Sequence, residues 1–144
     1  MRGLDRLHPA VRLKAERLKE LCAEAGLNVL ITETWRTEAE QNELYAKGRE
    51  TPGPVVTHAQ YPMSMHCWGV AFDFCENVKG KEYDNVKFFD TVGSWGRELG
   101  LSWGGDWAVF KDKPHFEDRG IAGAVADLVK KYGTPEKFKE TWGK

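Results

Sequence analysis

The chain has 144 residues, the usual size of one domain, and a formal net charge of -1 at pH 7. A charge this close to zero argues against a nucleic-acid-binding protein, which usually shows a strong basic excess. No run approaches the roughly 20 apolar residues of a membrane helix, so no membrane insertion is expected. We therefore expect residues 1–144 to form a single domain, with a monomer as the default.

The first half of the chain predicts two helices, one strand and a long loop. Apolar residues at helical spacing predict a helix over Pro9 to Ala25, and β-branched residues predict a strand over Leu27 to Thr34. Thr37 and Glu40 form the capping-box pattern of a second helix that ends near Gly48. Three prolines between residues 49 and 63 predict a loop.

The second half mixes short helical and extended patterns. Bulky residues alternate with smaller ones from Trp68 to Phe74, which predicts a strand with one buried face. The elements predicted after it are a helix over Phe88 to Leu99, short strands at Leu101 to Trp103 and His115 to Glu117, a helix over Ala122 to Tyr132, and a last helix capped by Thr134. Without regular βαβ alternation, this order favours an α+β fold with a mainly antiparallel sheet flanked by helices.

The three cysteines are Cys22, Cys67 and Cys75. An odd number in a chain that begins without the apolar core of a signal peptide favours reduced thiols over a disulfide framework. Cys67 lies next to a candidate metal ligand, so a ligand role stays open for it. A small buried thiol is the better interpretation, because free cysteine is among the most buried residue types.

Two segments carry residue types that bind zinc. One contains His66 and Asp73, and the other contains His115. Two imidazoles and one carboxylate match the three protein ligands of catalytic zinc sites, which leave a fourth position open. His66 and Asp73 are seven residues apart and would face opposite sides of one regular strand, so the chain must bend between them. Gly69 is the natural place for such a bend.

Each histidine also has a structural explanation when it is taken alone. His66 would then be a polar residue at the start of a strand, and His115 would be a turn residue after Pro114. Spacing alone leaves these alternatives open.

The motifs resemble those of a known family. Ser64-x-His66-x-x-Gly69-x-Ala71-x-Asp73 is similar to the S-x-H-x-x-G-x-A-x-D signature of zinc D-alanyl-D-alanine carboxypeptidases of the VanY type. The wider chain, from about Leu7 to Tyr132, is more similar to phage endolysins that are L-alanyl-D-glutamate peptidases. Their R-T-x-x-x-Q-x-x-L-Y-x-x-G-R, W-G-G-D-W and D-x-P-H-F-E patterns correspond here to Arg36 to Arg49, Trp103 to Trp107 and Asp112 to Glu117.

The resemblance implies a Hedgehog/DD-peptidase-like fold and one Zn²⁺ held by His66, Asp73 and His115. It also implies a catalytic carboxylate three residues before the last ligand, which is Asp112 here rather than the Glu of the carboxypeptidases. From the same resemblance, Arg36 is expected to stabilise negative charge in the transition state, with a structural ion pair as the alternative. Gln41 and Ser64 are expected to orient substrate, and a structural role stays open for each.

Two further carboxylates are weighed beside these residues. Asp106 is a second candidate for a catalytic carboxylate, although a role in its Gly-Gly turn is favoured. Glu117 is expected at the surface or behind a ligand. Among the tryptophans, Trp103 or Trp107 is a candidate to line the cleft.

The expected function is hydrolysis of the L-alanyl-D-glutamate bond in the peptidoglycan stem peptide. The alternatives are a D-alanyl-D-alanine carboxypeptidase or dipeptidase, and a non-catalytic zinc module of the same fold. Because no signal peptide is visible, we expect synthesis in the cytoplasm and action on the wall after holin-type or lysis-dependent release. The motifs span almost the whole chain, so no separate wall-binding domain is expected.

Overall fold

A computed structural model describes residues 1–143 as an α+β arrangement of one sheet and surrounding helices. The helices are α1 (Pro9–Glu24), α2 (Glu38–Ala46), α3 (Val86–Glu98), α4 (Arg119–Ala122), α5 (Val125–Tyr132) and α6 (Pro135–Lys139). The strands are β1 (Val29–Glu33), β2 (Ala71–Glu76), β3 (Ser102–Trp103) and β4 (His115–Glu117). The described residues include no helix that is both long enough and apolar enough to cross a membrane.

The four strands form one antiparallel sheet in the order β1-β2-β4-β3. The predicted α+β class and antiparallel sheet are therefore confirmed. The central pair, β2 and β4, places Phe72 opposite Phe116 and Asp73 opposite His115. Because successive side chains alternate between the faces of a sheet, this register directs the aromatic residues to one side and the polar residues to the other.

The aromatic face forms the core beneath the site. Phe74 stacks on Phe116 with ring centroids 4.9 Å apart, and both are fully buried. Helix α3 packs directly on this face through Gly96, where an added Cβ atom would lie 2.2 Å from Phe116. Gly93 approaches the ring of Trp103 in the same way. Small residues on α3 thus allow the aromatic rings to contact helix backbone, which holds β4 firmly in place.

Most of the predicted elements are confirmed within two or three residues, including the capping box of α2. The predicted starts of two elements were wrong. The segment Met65–Trp68 is a 3₁₀ turn, and the strand begins only at Ala71, because Gly69 adopts a left-handed φ of 69° that interrupts extended backbone. The helix predicted over Ala122 to Tyr132 begins only at Val125, because Gly123 has a φ of 69° and ends the short helix α4 at Ala122.

Candidate metal centre

His66 is positioned by the 3₁₀ turn that precedes β2. The hydroxyl of Ser64 accepts a hydrogen bond from the backbone N–H of His66 at 3.3 Å and caps the turn. The left-handed Gly69 then redirects the chain into β2. The predicted bend at Gly69 is therefore confirmed, and it lets His66 and Asp73 converge in spite of their odd separation.

Asp73 and His115 come together through strand pairing. They are directly opposite each other on the antiparallel strands β2 and β4. Residues in such positions project from the same face of the sheet, with Cβ atoms about 4.5–5.5 Å apart. A register shift of one residue would move one of them to the aromatic face, so the site depends on this exact pairing.

The three side chains meet at one carboxylate oxygen. Oδ1 of Asp73 lies 3.1 Å from Nε2 of His66 and 2.9 Å from Nδ1 of His115. One ligand atom from each of the three residues lies within 4.8 Å of the others. The structure therefore brings together all three residues that the motifs single out as ligands.

The outer nitrogen of each imidazole also has an acceptor. Nδ1 of His66 lies 2.7 Å from the backbone oxygen of Thr34, and Nε2 of His115 lies 2.8 Å from Oε1 of Glu117. Each outer N–H can donate to that oxygen, which leaves the inner nitrogen with a lone pair directed into the cluster. Second partners of this kind orient the histidine ligands of metal ions and increase their basicity.

The electrostatics of the cluster favour a cation at its centre. Burial opposes charge on His115, but hydrogen bonds to Asp73 and Glu117 outweigh it and raise the pKa of His115 to about 9. Burial likewise opposes charge on Asp73, yet the two histidines hold the pKa of this carboxyl well below its usual range. The carboxylates of Asp73 and Glu117 thus stabilise positive charge on His115, and a divalent metal ion that displaced the proton of His115 would find two imidazole nitrogens and a carboxylate as ligands.

A pocket of about 520 Å³ opens onto this cluster. Its wall includes Arg36, Ser64, Trp107, Asp112 and Arg119, together with residues of the long loop after α2. Such a volume lies in the range of small-molecule and peptide sites. The cluster is therefore accessible to a substrate, although His66 and His115 are themselves buried.

Asp112 is the candidate catalytic carboxylate that the family resemblance implies. It lines the pocket, and the structure gives its side chain no ion-pair partner among the described residues. Partial removal from water raises the pKa of Asp112, and the nearby Asp73 carboxylate raises it further, while His115 acts in the opposite direction. A raised pKa brings a carboxylate closer to the range in which proton transfer is efficient.

The competing carboxylate, Asp106, lies outside the pocket lining. Both of its oxygens accept hydrogen bonds from Arg97 at 2.8 Å, in an exposed ion pair. This geometry agrees with the turn role that the sequence favours for Asp106.

Arg36 lines the pocket as expected, and its side chain is only 12% exposed. Its Nη1 donates to Oε1 of Gln41 at 2.8 Å, while Gln41 donates through Nε2 to the backbone oxygen of Ala59 at 2.7 Å. Gln41 is fully buried and does not line the pocket. Gln41 thus connects Arg36 to the long loop, which agrees with the structural role that the sequence left open, while its contact with substrate stays a prediction.

Burial and pocket lining distinguish the roles of the remaining candidate residues. Ser64 lines the pocket and also caps the 3₁₀ turn, so both of its roles stay open. Cys67 is buried, and loss of water raises the pKa of its thiol to about 11, which agrees with a structural role. Trp107 lines the pocket, whereas Trp103 belongs to the core.

Sequence reasoning missed two parts of the site. Thr34 contributes through its backbone oxygen, which leaves no trace in the identity of the residue. Arg119 joins the pocket by pairing with the buried Glu117 at 2.7 Å. The sequence carried no periodic signal for Arg119, because β4 ends at Glu117 and Arg119 begins α4.

A cluster of two buried histidines and a partly exposed aspartate, open to a pocket beside a carboxylate without an ion-pair partner, is typical of metal-dependent hydrolases. The comparisons with known proteins specify the class. Residues 57–118 match the family model described as D-alanyl-D-alanine carboxypeptidase, of the M15 peptidases. The peptidoglycan L-alanyl-D-glutamate endopeptidase CwlK of Bacillus subtilis is 40% identical over 123 residues, which cover 77% of this chain and 72% of CwlK. The chain belongs to the M15 peptidase family.

Two further similarities agree with this assignment. The L-alanyl-D-glutamate peptidase of Listeria phage A118 is 30% identical over 119 residues, which cover 80% of this chain but only 39% of the phage protein. The fold is shared with the D,D-pentapeptidase VanY of a VanB-type vancomycin resistance cassette, solved as a variant in complex with Zn(II). That match has a TM-score of 0.60 at 14% identity and covers 92% of this chain and 83% of VanY.

Proposed function

We propose that this protein is a zinc-dependent endopeptidase that cleaves the L-alanyl-D-glutamate bond of the peptidoglycan stem peptide. The observation that carries the proposal is the convergence of His66, Asp73 and His115 at the floor of an open pocket. The donor set suits zinc, and the related VanY structure contains Zn(II). Two relatives, at 40% and 30% identity, are L-alanyl-D-glutamate peptidases and support the choice of bond.

His66, Asp73 and His115 would hold the metal ion. When bound, zinc supplies a Lewis acid that polarises a scissile carbonyl and makes water more acidic. Thr34 and Glu117 keep the two imidazoles in one orientation and one tautomer, so that the same nitrogens remain available.

Proton transfer falls to Asp112, the free carboxylate of the pocket wall. Its carboxylate takes a proton from the attacking water and then gives a proton to the leaving amine of the substrate. Its raised pKa assists the second step, because the protonated form is easier to reach.

Charge on the carbonyl oxygen would be balanced by Arg36. This guanidinium is largely buried and is held by the amide of Gln41, so it need not reorganise when the charge develops. Preorganised donors of this kind usually make the largest electrostatic contribution to catalysis.

Digestion of purified peptidoglycan, followed by mass spectrometry of the new termini, tests the proposal. New N-terminal D-glutamate and C-terminal L-alanine, formed with zinc and lost on chelation, are the expected products. Release of free D-alanine alone would instead identify a carboxypeptidase and overturn the choice of bond. The Asp112→Asn variant is the control for a contaminating hydrolase.

A further inference from the structure

The pocket contains a second guanidinium, that of Arg119, which has no role in the proposed reaction. Arg119 is the first residue of α4, and its side chain is 55% exposed at the pocket wall. Its Nε donates to Oε2 of Glu117 at 2.7 Å. The guanidinium also lies 5.8 Å from the centre of the Trp107 ring, within the range of a cation–π contact.

These two contacts hold the group without exhausting its donors. An arginine has five N–H donors, and only Nε of Arg119 is used by Glu117. Within the part of the chain that the structure describes, neither Nη atom has a protein acceptor. A guanidinium that served only to neutralise Glu117 would not need to line the pocket, whereas free Nη groups there suit a bidentate contact with a carboxylate.

The proposed substrate carries such a carboxylate beside the scissile bond. In the stem peptide, D-glutamate is joined to the next residue through its γ-carboxyl group, so its α-carboxylate is free unless it is amidated. This group belongs to the leaving half of the substrate and is attached to the carbon next to the scissile nitrogen. An enzyme that cleaves at this residue must either bind the charge or tolerate it without compensation.

We propose that Arg119 is a specificity-determining residue that binds the free α-carboxylate of D-glutamate in the substrate. The inference rests on the proposed function. Arg36 is less suitable for this task, because it is mostly buried and one of its Nη atoms is bound to Gln41. Arg36 and Arg119 are the two arginines among the described pocket residues. The buried Arg36 suits the carbonyl oxygen of the scissile bond, and the more exposed Arg119 suits the carboxylate.

Two soluble peptides test the assignment. One is L-alanyl-γ-D-glutamyl-L-lysine, and the other is the same peptide with the α-carboxylate converted to a carboxamide. The zinc-loaded protein and its Arg119→Gln and Arg119→Lys variants are compared on both by kcat/KM, together with zinc content and thermal unfolding. Arg97→Gln is the matched control, because Arg97 is also half exposed and paired with a carboxylate but lies outside this pocket.

We expect the unmodified protein to prefer the free acid by roughly 10–100-fold, the scale of one charge-assisted contact. Arg119→Gln should lose this preference while it keeps zinc, Arg119→Lys should keep part of it, and Arg97→Gln should keep all of it. Equal cleavage of both peptides by the unmodified protein would overturn the inference and leave the proposed function intact. So would an Arg119→Gln variant that loses activity equally on both, since Arg119 would then act only through Glu117. If the protein cleaved neither peptide but did cleave a different bond in whole peptidoglycan, both the proposed bond and this inference would be refuted.

Discussion

Replacement of Glu117 by Gln tests whether the residues behind the ligands control the metal site. Glu117 accepts from His115 at 2.8 Å through one oxygen and from Arg119 at 2.7 Å through the other. A glutamine of the same size has one oxygen and one NH₂ group. It can therefore accept from only one of these partners, and it places a donor against the other.

The expected loss of zinc affinity follows from the burial of Glu117. Exposed ion pairs contribute about 0–1 kcal/mol, but the side chain of Glu117 is only 6% exposed, so water cannot replace the lost acceptor. Loss of a partner of a histidine ligand typically lowers metal affinity or activity by about 10–100-fold. We therefore expect Glu117→Gln to bind zinc 10–100-fold more weakly, which corresponds to about 1.4–2.8 kcal/mol.

Competition with a zinc chelator measures this affinity, and circular dichroism shows whether the variant is folded. Asp106→Asn is the control, because Asp106 also pairs with an arginine but is exposed and does not line the pocket. If folded Glu117→Gln bound zinc as tightly as the unmodified protein, the proposed coupling from Glu117 through His115 to the metal would be refuted.

Four further predictions concern the ligands, the base and the core. His66→Ala should lose bound zinc, and metal analysis that found full occupancy would remove His66 from the ligand set. Asp112→Asn should keep zinc but lose roughly 10²–10⁴-fold in kcat, whereas the same loss in Asp106→Asn alone would show that the wrong carboxylate was chosen. Since burial raises the pKa of Asp112, this carboxyl should titrate above the ordinary 3.8 in the metal-free protein, as measured by NMR, and titration at or below that value would contradict its placement in the pocket wall. Gly96→Ala should lower the free energy of unfolding by about 1–3 kcal/mol, because its Cβ would meet Phe116 at 2.2 Å, and urea unfolding with an unchanged midpoint would argue against this packing.

The sequence alone determined most of the local structure. The capping box of Thr37 and Glu40 placed the start of α2, and Gly69 marked the bend before β2. These features depend on hydrogen bonds and dihedral angles within a few residues, so they can be recognised in a short window of sequence. The candidate ligands were also visible, because their residue types suit zinc and their motifs resemble those of a known zinc peptidase family, although spacing alone left structural alternatives open.

The wrong boundaries also have local causes, which the pattern of apolar residues could not predict. Trp68, Val70 and Phe72 alternate like a strand, but the left-handed Gly69 ends a 3₁₀ turn in the middle of that pattern. A glycine inside a periodic segment can extend it or break it, and only the surrounding packing decides which occurs.

The working geometry of the site was decided by the tertiary structure. Strand pairing places Asp73 opposite His115, which is 42 residues away in the chain, and it fixes the face on which both project. Gln41 is buried outside the pocket, whereas Arg119 lies at the pocket wall. The backbone oxygen of Thr34 selects the free nitrogen of His66. Residue types therefore indicate which groups can bind a metal or a substrate, whereas long-range packing and register determine which atoms of those groups are available.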